Sequence, residues 1–102
     1  MVRDFEFEFE GVVVEWRGPA PFYFVAVPEE ESADIKFAAK GIEYWGQVPA
    51  AVRINGTEFT TALFPKDGRY LIPLKVAVRR AAGIRVEDDD AALTVALDVV
   101  RR

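Results

Sequence analysis

Apolar and polar residues alternate at the start of the chain. Phenylalanines stand at positions 5, 7 and 9 and glutamates at positions 6, 8 and 10. A period of two predicts a β-strand with one buried face and one face in water. At Gly11 the phase changes, because apolar residues now stand at positions 12, 14 and 16. A glycine at such a change indicates a bulge or a sharp bend, which lets one strand serve two sides of a barrel.

Similar patterns predict five further strands. Phe22–Val27 is apolar on both faces, which indicates a central strand. The link Asn55-Gly56 stands between two segments rich in β-forming residues, and this is the strongest short hairpin signal available. The predicted strands are Phe22–Val27, Gln47–Ile54, Thr57–Phe64, Arg69–Ile72 and Leu93–Val100, with turns at 17–21, 66–68 and 87–90.

Pro28 opens a first predicted helix. Glu29–Glu31 follow it, and acids are favoured near the positive end of the helix dipole. Apolar residues at 35, 38, 39 and 42 keep helical spacing, and Gly41 is placed to end the helix. An alternative start has Ser32 as the N-cap, which gives a shorter helix.

Pro73 starts a second predicted helix. Its apolar stripe comprises positions 74, 77, 78 and 81, while Lys75 and Arg79 lie four residues apart on another face, beside Arg80. Gly83 is the predicted C′ residue, followed by an isoleucine that supplies the usual hydrophobic contact.

Six strands and two short helices in 102 residues predict one domain over 1–102 with a mostly all-β fold. We expect a small closed six-stranded β-barrel with two short α-helices, because closure removes sheet edges that invite aggregation.

Composition narrows the chemistry. The chain has no cysteine and no histidine, which excludes disulfides, thiol nucleophiles, imidazole bases and zinc sites built on either side chain. The net charge of −4 disfavours nucleic acid as a partner of the whole surface. We expect a cytoplasmic protein with no secretory signal, no membrane span, no cofactor and no metal, either a monomer or a homodimer.

Several short motifs spread over nearly the whole chain carry a family resemblance. They are Trp16 with Gly18-Pro19, Phe24-Val25 with Pro28 and Ser32-Ala33, Trp45-Gly46 with Val48-Pro49, Leu63-Phe64-Pro65-Lys66, Gly68, Tyr70-Leu71, Pro73, Lys75, Ala77-Val78-Arg79 and Gly83-Ile84. In these the chain resembles a bacterial and archaeal family described only as domain of unknown function 1905. The resemblance implies a six-stranded barrel with helical excursions. The family carries no established activity, so no catalytic residue is transferred from it.

The segment from Ile72-Pro73 to Asp88 is also similar to the swapped-hairpin DNA-binding domains of antitoxins and transition-state regulators. Those domains pair a proline-led helix with a Gly-Ile stop and then Gly-Asp, whereas Glu87 replaces that glycine here. The likeness indicates a shared way of placing a helix across a barrel corner.

Two groups of side chains are candidate binding residues. Basic residues from 66 to 80 are placed to bind a phosphate or an acidic partner, although Arg79 and Arg80 also suit the negative end of their helix, and Lys66 and Arg69 flank a turn. Aromatic residues could line a pocket at a barrel mouth or fill the core instead. The aromatic candidates are Trp16, Tyr44, Trp45, Phe64 and Tyr70, and the predicted binding set is Trp16, Trp45, Phe64, Lys66, Arg69, Lys75 and Arg79.

The sequence predicts no catalytic constellation and leaves three functions open. The first is a non-enzymatic module that binds a small molecule or a protein through these aromatic and basic residues. The second is nucleic-acid binding through the basic helix 74–82 and the 66–69 turn. The third is an enzyme that pairs a carboxylate with a lysine, for instance Glu15 with Lys75. The acidic run 87–90 lacks the ligand spacing of a calcium loop and is interpreted as a solvated turn.

Overall fold

The strands close into an antiparallel barrel, as predicted. The computed structural model describes residues 5–16, 22–86 and 92–101. Within these ranges the strands are β1 (Phe7–Trp16), β2 (Phe22–Ala26), β3 (Val48–Ile54), β4 (Thr57–Lys66), β5 (Arg69–Pro73) and β6 (Ala92–Val99), and the helices are α1 (Glu29–Ala38) and α2 (Val76–Ala82). Around the barrel the strand order is β1-β2-β5-β4-β3-β6. The turns predicted at 17–21 and 87–90 lie outside the described residues.

The barrel interior is filled by alternate residues of every strand. On β3, and on β6 from Val95 onward, the inward positions are fully or nearly fully buried aliphatic side chains, while their neighbours are more exposed. Strand alternation therefore places one apolar face of each strand in a shared core. The fully buried aliphatic side chains are Ile35, Ile54, Leu63, Ile72, Leu97, Val25, Val27, Val48, Val52 and Val95.

Gly11 is not the site of a bulge, one of the two features that the sequence predicts there. β1 keeps its registers continuously, first against β6 up to Val12 and then against β2 from Val12 onward. Gly11 is buried like Phe9 before it, so the inward phase is unchanged and the apolar residues that follow at even positions lie on the outer wall. A glycine is required for space, because a Cβ at this position would collide with Cγ1 of Val25 and lie 3.0 Å from the Ala26 carbonyl oxygen.

The predicted hairpin at Asn55-Gly56 is confirmed. Both residues have positive φ, 50° and 78°, the conformation that two-residue hairpin turns favour. β4 extends two residues beyond the predicted end at Phe64, so the next turn is formed by Asp67-Gly68 rather than by three residues.

α1 starts after Pro28, and the alternative start at Ser32 is wrong. Ser32 lies inside the helix and is buried. Its hydroxyl donates to the Val27 carbonyl oxygen (3.2 Å) and accepts from the Tyr70 backbone N–H (3.1 Å). The hydroxyl therefore ties α1 to the barrel instead of capping the helix.

α2 begins at Val76, three residues later than predicted, because Pro73 is the last residue of β5 and pairs with Phe24. The predicted stripe is also corrected, since Ala77 and Ala81 are exposed and the buried helix residue is Ala82. Gly83 ends the helix in the left-handed conformation, as predicted.

The end of α2 is a Schellman motif joined to the β3–β4 turn. The Ile84 N–H donates to the Arg79 carbonyl oxygen (2.9 Å), and the Gly83 N–H donates to that of Arg80 (3.4 Å). The Asn55 side-chain amide then donates to the Ala82 carbonyl oxygen (2.9 Å). These bonds fix α2 against the outside of the barrel. In the described part of the chain, no helix has the length and apolar character that a membrane span requires.

Candidate functional site

The outer wall of the barrel is apolar where β1, β2, β5 and β4 lie side by side. Val14 of β1 is paired with Phe24 of β2, and Trp16 is paired with Phe22. Phe24 is in turn paired with Pro73 of β5. These residues share the outward phase with Phe64 of β4, which is paired with Leu71 of β5. Four strands therefore present a continuous apolar surface on the side of the sheet that faces water in most barrels.

An open groove runs along this wall beside α2 and has a volume of about 710 Å³. The barrel supplies aromatic side chains, and the segment from β5 into α2 supplies aliphatic and basic ones. The groove is lined by Trp16, Phe22, Tyr23, Phe24, Phe64, Pro73, Leu74, Lys75, Val76 and Arg79. We refer to this surface as the α2 groove.

Phe24 forms the floor of the aromatic part of the α2 groove. It is 9% exposed, whereas Trp16 and Phe64 on either side are 51% and 45% exposed. The ring of Trp16 lies 6.3 Å from that of Phe24 at 47°, and Phe64 meets Phe24 edge to face at 6.5 Å and 84°. These are favourable aromatic geometries, so the two rims are held by the floor while half of each rim remains open to a ligand.

Arg79 is fixed at the α2 side of the groove. Its guanidinium carbon lies 4.8 Å from the centre of the Tyr23 ring, and its Nε donates to the Leu74 carbonyl oxygen at 3.3 Å. The backbone carbonyl oxygens of Ala81 and Ala82, at the end of α2, accept hydrogen bonds from the side chains of Thr57 and Asn55 instead. Arg79 therefore does not hydrogen bond the end of its own helix, although it lies with Arg80 in the last turn, where positive charge suits the negative end of the helix.

Two lysines accompany Arg79. Lys75, the residue before α2, lines the groove. Lys66 lies at its edge, with Nζ 3.9 Å from the centre of the Trp16 ring, a cation–π contact that covers one face of this indole. The described groove lining contains no carboxylate, so its local charge is positive on a chain whose net charge is −4.

The structure brings together four of the seven predicted binding residues in the α2 groove, with Lys66 at the edge. Arg69 has a structural contact, since its Nε donates to the Val27 carbonyl oxygen at 2.9 Å. Trp45 does not line the groove. It is 86% exposed in the loop between α1 and β3, with its ring edge to face on Tyr44 at 6.1 Å.

The predicted pocket at a barrel mouth is not where the aromatic residues meet. Tyr70 is buried in the core, and burial, together with the negative charge of Glu43, raises the pKa of its phenol above 10.0. The groove residues that the sequence analysis missed are mainly Phe22–Phe24 and the Pro73–Leu74 corner. The sequence did contain a signal for Phe22–Phe24, because a barrel strand that is apolar on both faces must place half of its apolar side chains on the outside of the barrel.

Glu15 and Lys75, the proposed carboxylate–lysine pair, border different depressions of the wall. The side chain of Lys75 has no hydrogen-bond or ion-pair partner within the described residues. Ser32, the one serine in the chain, has its hydroxyl engaged in two backbone hydrogen bonds. The arrangement supplies an apolar surface and fixed positive charge, which are means of binding.

Comparison with known families gives one finding. The family model described as "Domain of unknown function (DUF1905)" matches residues 9–95, a span that contains β1 from Phe9, all of β2–β5, both helices and the first half of β6. Neither the curated proteins nor the solved structures give a match.

Proposed function

The chain belongs to the DUF1905 family of domains of unknown function, and we propose that it is a non-enzymatic module that binds a small organic molecule in the α2 groove. The observation that carries this proposal is the exposed aromatic wall of Trp16, Phe24 and Phe64 on the outside of a barrel whose interior is already filled. An exposed apolar surface of this kind costs solubility and is retained where it binds something.

The dimensions of the groove suit a small molecule. Ligand pockets generally measure about 300–1,000 Å³ and combine an apolar lining with a few polar groups. The α2 groove, at about 710 Å³, has seven apolar lining residues beside Tyr23, Lys75 and Arg79. Its described lining has neither a carboxylate nor a histidine, the side chains that most often act as general acids and bases, and this supports binding without chemistry.

The two tryptophans allow a direct test with matched variants. Trp45→Phe leaves Trp16, in the groove, as the single reporter, and Trp16→Phe leaves Trp45, outside it. The probe is bromobenzoate, because its heavy atom quenches indole fluorescence on contact. We expect saturable quenching of Trp16 with a Kd of about 1 mM or tighter, and only linear, collisional quenching of Trp45. Equal quenching of both tryptophans, or no saturation at Trp16, would refute a groove site.

Binding of single-stranded nucleic acid is a second candidate, favoured by one observation. Lys66 over Trp16 and Arg79 over Tyr23 place cations beside aromatic rings, the combination on which bases stack and phosphates are neutralised. The negative net charge counts against it. Its test is a titration with an oligothymidylate at low salt. Saturable binding that weakens steeply with added salt supports nucleic acid, and no binding at low salt removes this candidate.

A further inference from the structure

We infer that the ligand of the α2 groove is an organic anion, an apolar ring or chain that carries one carboxylate, with the carboxylate held by Arg79 and Lys75. This inference rests on the proposed function, since it names the ligand class of the same groove. Three features support it: the contacts that hold Arg79, the position of Lys75 and the positive charge of the groove lining.

Arg79 is preset to receive a planar anion. One side of its guanidinium is satisfied, because Nε donates to the Leu74 carbonyl oxygen (3.3 Å) and the central carbon Cζ lies 4.8 Å from the centre of the Tyr23 ring. The two terminal Nη groups have no hydrogen-bond partner among the described residues. Two parallel N–H donors at the end of a fixed fork are the arrangement that binds a carboxylate in bidentate fashion.

The C-terminal end of α2 is capped by other residues, which leaves the Nη groups of Arg79 available. The carbonyls of Ala81 and Ala82 are capped by Thr57 (3.2 Å) and Asn55 (2.9 Å), and the Schellman motif closes the last turn through backbone bonds. A guanidinium held in place without capping its own helix is therefore ordered toward the groove, and little conformational entropy is lost when it binds.

Lys75 adds a second cation on the same wall. It lies four residues before Arg79, about one helical turn away, and both line the groove. No carboxylate in the described lining neutralises them. The aromatic wall formed by Phe24 and Phe64 comes from the barrel, so the groove is apolar on the barrel side and basic on the α2 side. A ligand that matches both sides is amphiphilic, with its anionic group against α2.

The experiment compares two probes of the same shape that differ in charge, bromobenzoate and bromobenzamide, using the Trp16 reporter in Trp45→Phe protein. We expect the carboxylate to bind about tenfold or more tightly than the amide, as expected for a charge-assisted hydrogen-bonded pair. Arg79→Gln should remove most of that difference. Arg80→Gln, the neighbouring arginine outside the groove lining, should keep it.

The outcomes separate the two proposals. If both probes saturate Trp16 with equal affinity, the groove binds small molecules but the anion inference is wrong. If neither saturates, the proposed function is wrong and this inference with it. A second copy of the chain is a rival occupant, and it would make the apparent probe affinity weaken as protein concentration rises. That concentration dependence, with a dimeric mass in solution, would also overturn the inference.

Discussion

Two single residues have local roles, one in how closely β1 approaches β2 and one in how α1 is attached to the barrel. Gly11 provides the space in which β1 approaches β2, since a Cβ there would meet the Val25 side chain. Ser32 provides a hydroxyl that satisfies the Tyr70 N–H and the Val27 carbonyl in the interior. Neither residue contributes much buried apolar area, so their importance lies in steric fit and in satisfied polar groups.

Gly11→Ala should destabilise the fold. The added methyl overpacks an interior site bounded by backbone and by a β-branched side chain, which costs about 1–3 kcal/mol. Thermal unfolding measures this as a fall in Tm of about 4–8 °C for each kcal/mol. Glu8→Ala on the outer face of the same strand is the control and should change stability by less than about 0.5 kcal/mol. Equal Tm values for the two variants would show that the space between β1 and β2 at Gly11 can hold a methyl group.

Ser32→Ala should destabilise β5 locally, at Tyr70. Without the hydroxyl the buried Tyr70 N–H has no acceptor, at a cost of about 1–3 kcal/mol. The Val27 carbonyl still accepts from Arg69 Nε, so the loss is concentrated at Tyr70. Hydrogen exchange at the Tyr70 amide should accelerate in the variant. Unchanged protection of this amide would contradict the hydrogen bond.

At the scale of elements, the position of α2 depends on the β3–β4 turn. The hairpin turn at Asn55-Gly56 links β3 tightly to β4. The Asn55 side chain also caps α2, because it donates to the carbonyl oxygen of Ala82, 27 residues later in the chain. This connection holds Lys75 and Arg79 opposite the aromatic wall. The geometry of the α2 groove is therefore set from the turn as well as from the groove residues themselves.

Asn55 has two roles, forming the hairpin turn and capping α2, and the substitution Asn55→Gly removes only the second. Glycine accepts the φ of 50° without strain, so the hairpin is kept and only the cap is removed. We expect the free energy of unfolding to fall by about 0.5–1.5 kcal/mol, measured by denaturant titration. Amide exchange in α2 should become faster than in the barrel strands. A variant with unchanged stability and unchanged exchange in α2 would show that the cap is dispensable.

The ends of β1 and β6 are joined by Glu6, which makes stability depend on pH. Its carboxylate accepts two hydrogen bonds from Arg101, at 2.8 and 3.1 Å, and one from the Val99 N–H at 3.3 Å. The Arg101 guanidinium lowers the pKa of Glu6 below its ordinary 4.5. The contribution to stability is thus complete above this value and is lost as the pH falls through the lower pKa of the folded state.

Glu6→Gln should flatten the pH dependence of stability below pH 4.5, the ordinary pKa of this group. The measurement is the unfolding free energy of wild type and variant as a function of pH. Their difference should shrink as the pH falls, because the wild-type carboxylate also becomes neutral. Glu8→Gln, a neighbouring outward acid, should leave the slope as it is. A constant difference between wild type and Glu6→Gln at every pH would contradict this account.

At the scale of the whole molecule, the outer wall of the barrel has one sector with polar outward residues and one with apolar outward residues. Where β1 meets β6 and β3 meets β4, the outward residues are small or polar for the most part and include the pairs Glu10–Thr94 and Arg53–Glu58. Where β1 meets β2, they are Val14 opposite Phe24 and Trp16 opposite Phe22. The aromatic side chains are concentrated in the apolar sector, and we propose that this sector binds the ligand.

The barrel itself could be predicted from the sequence, because six short alternating strands with a strong hairpin signal leave few alternatives. The groove could not, for a physical reason. A period of two tells which residues share a face but not which face is inside, and the apolar residues at even positions after Gly11 lie on the outer wall. Arg79 and Lys75 were placed on one helix face by spacing, but only the folded chain shows which wall they face.

The most direct test of the α2 groove as a binding site is a nuclear magnetic resonance titration of the isotope-labelled protein with bromobenzoate. We predict that the largest shifts occur at the Trp16 indole N–H and at the backbone amides of Phe22–Phe24, Phe64 and Leu74–Arg79, while the Trp45 indole N–H does not move. Shifts centred on Tyr44 and Trp45, or no saturable shift in the groove, would contradict it.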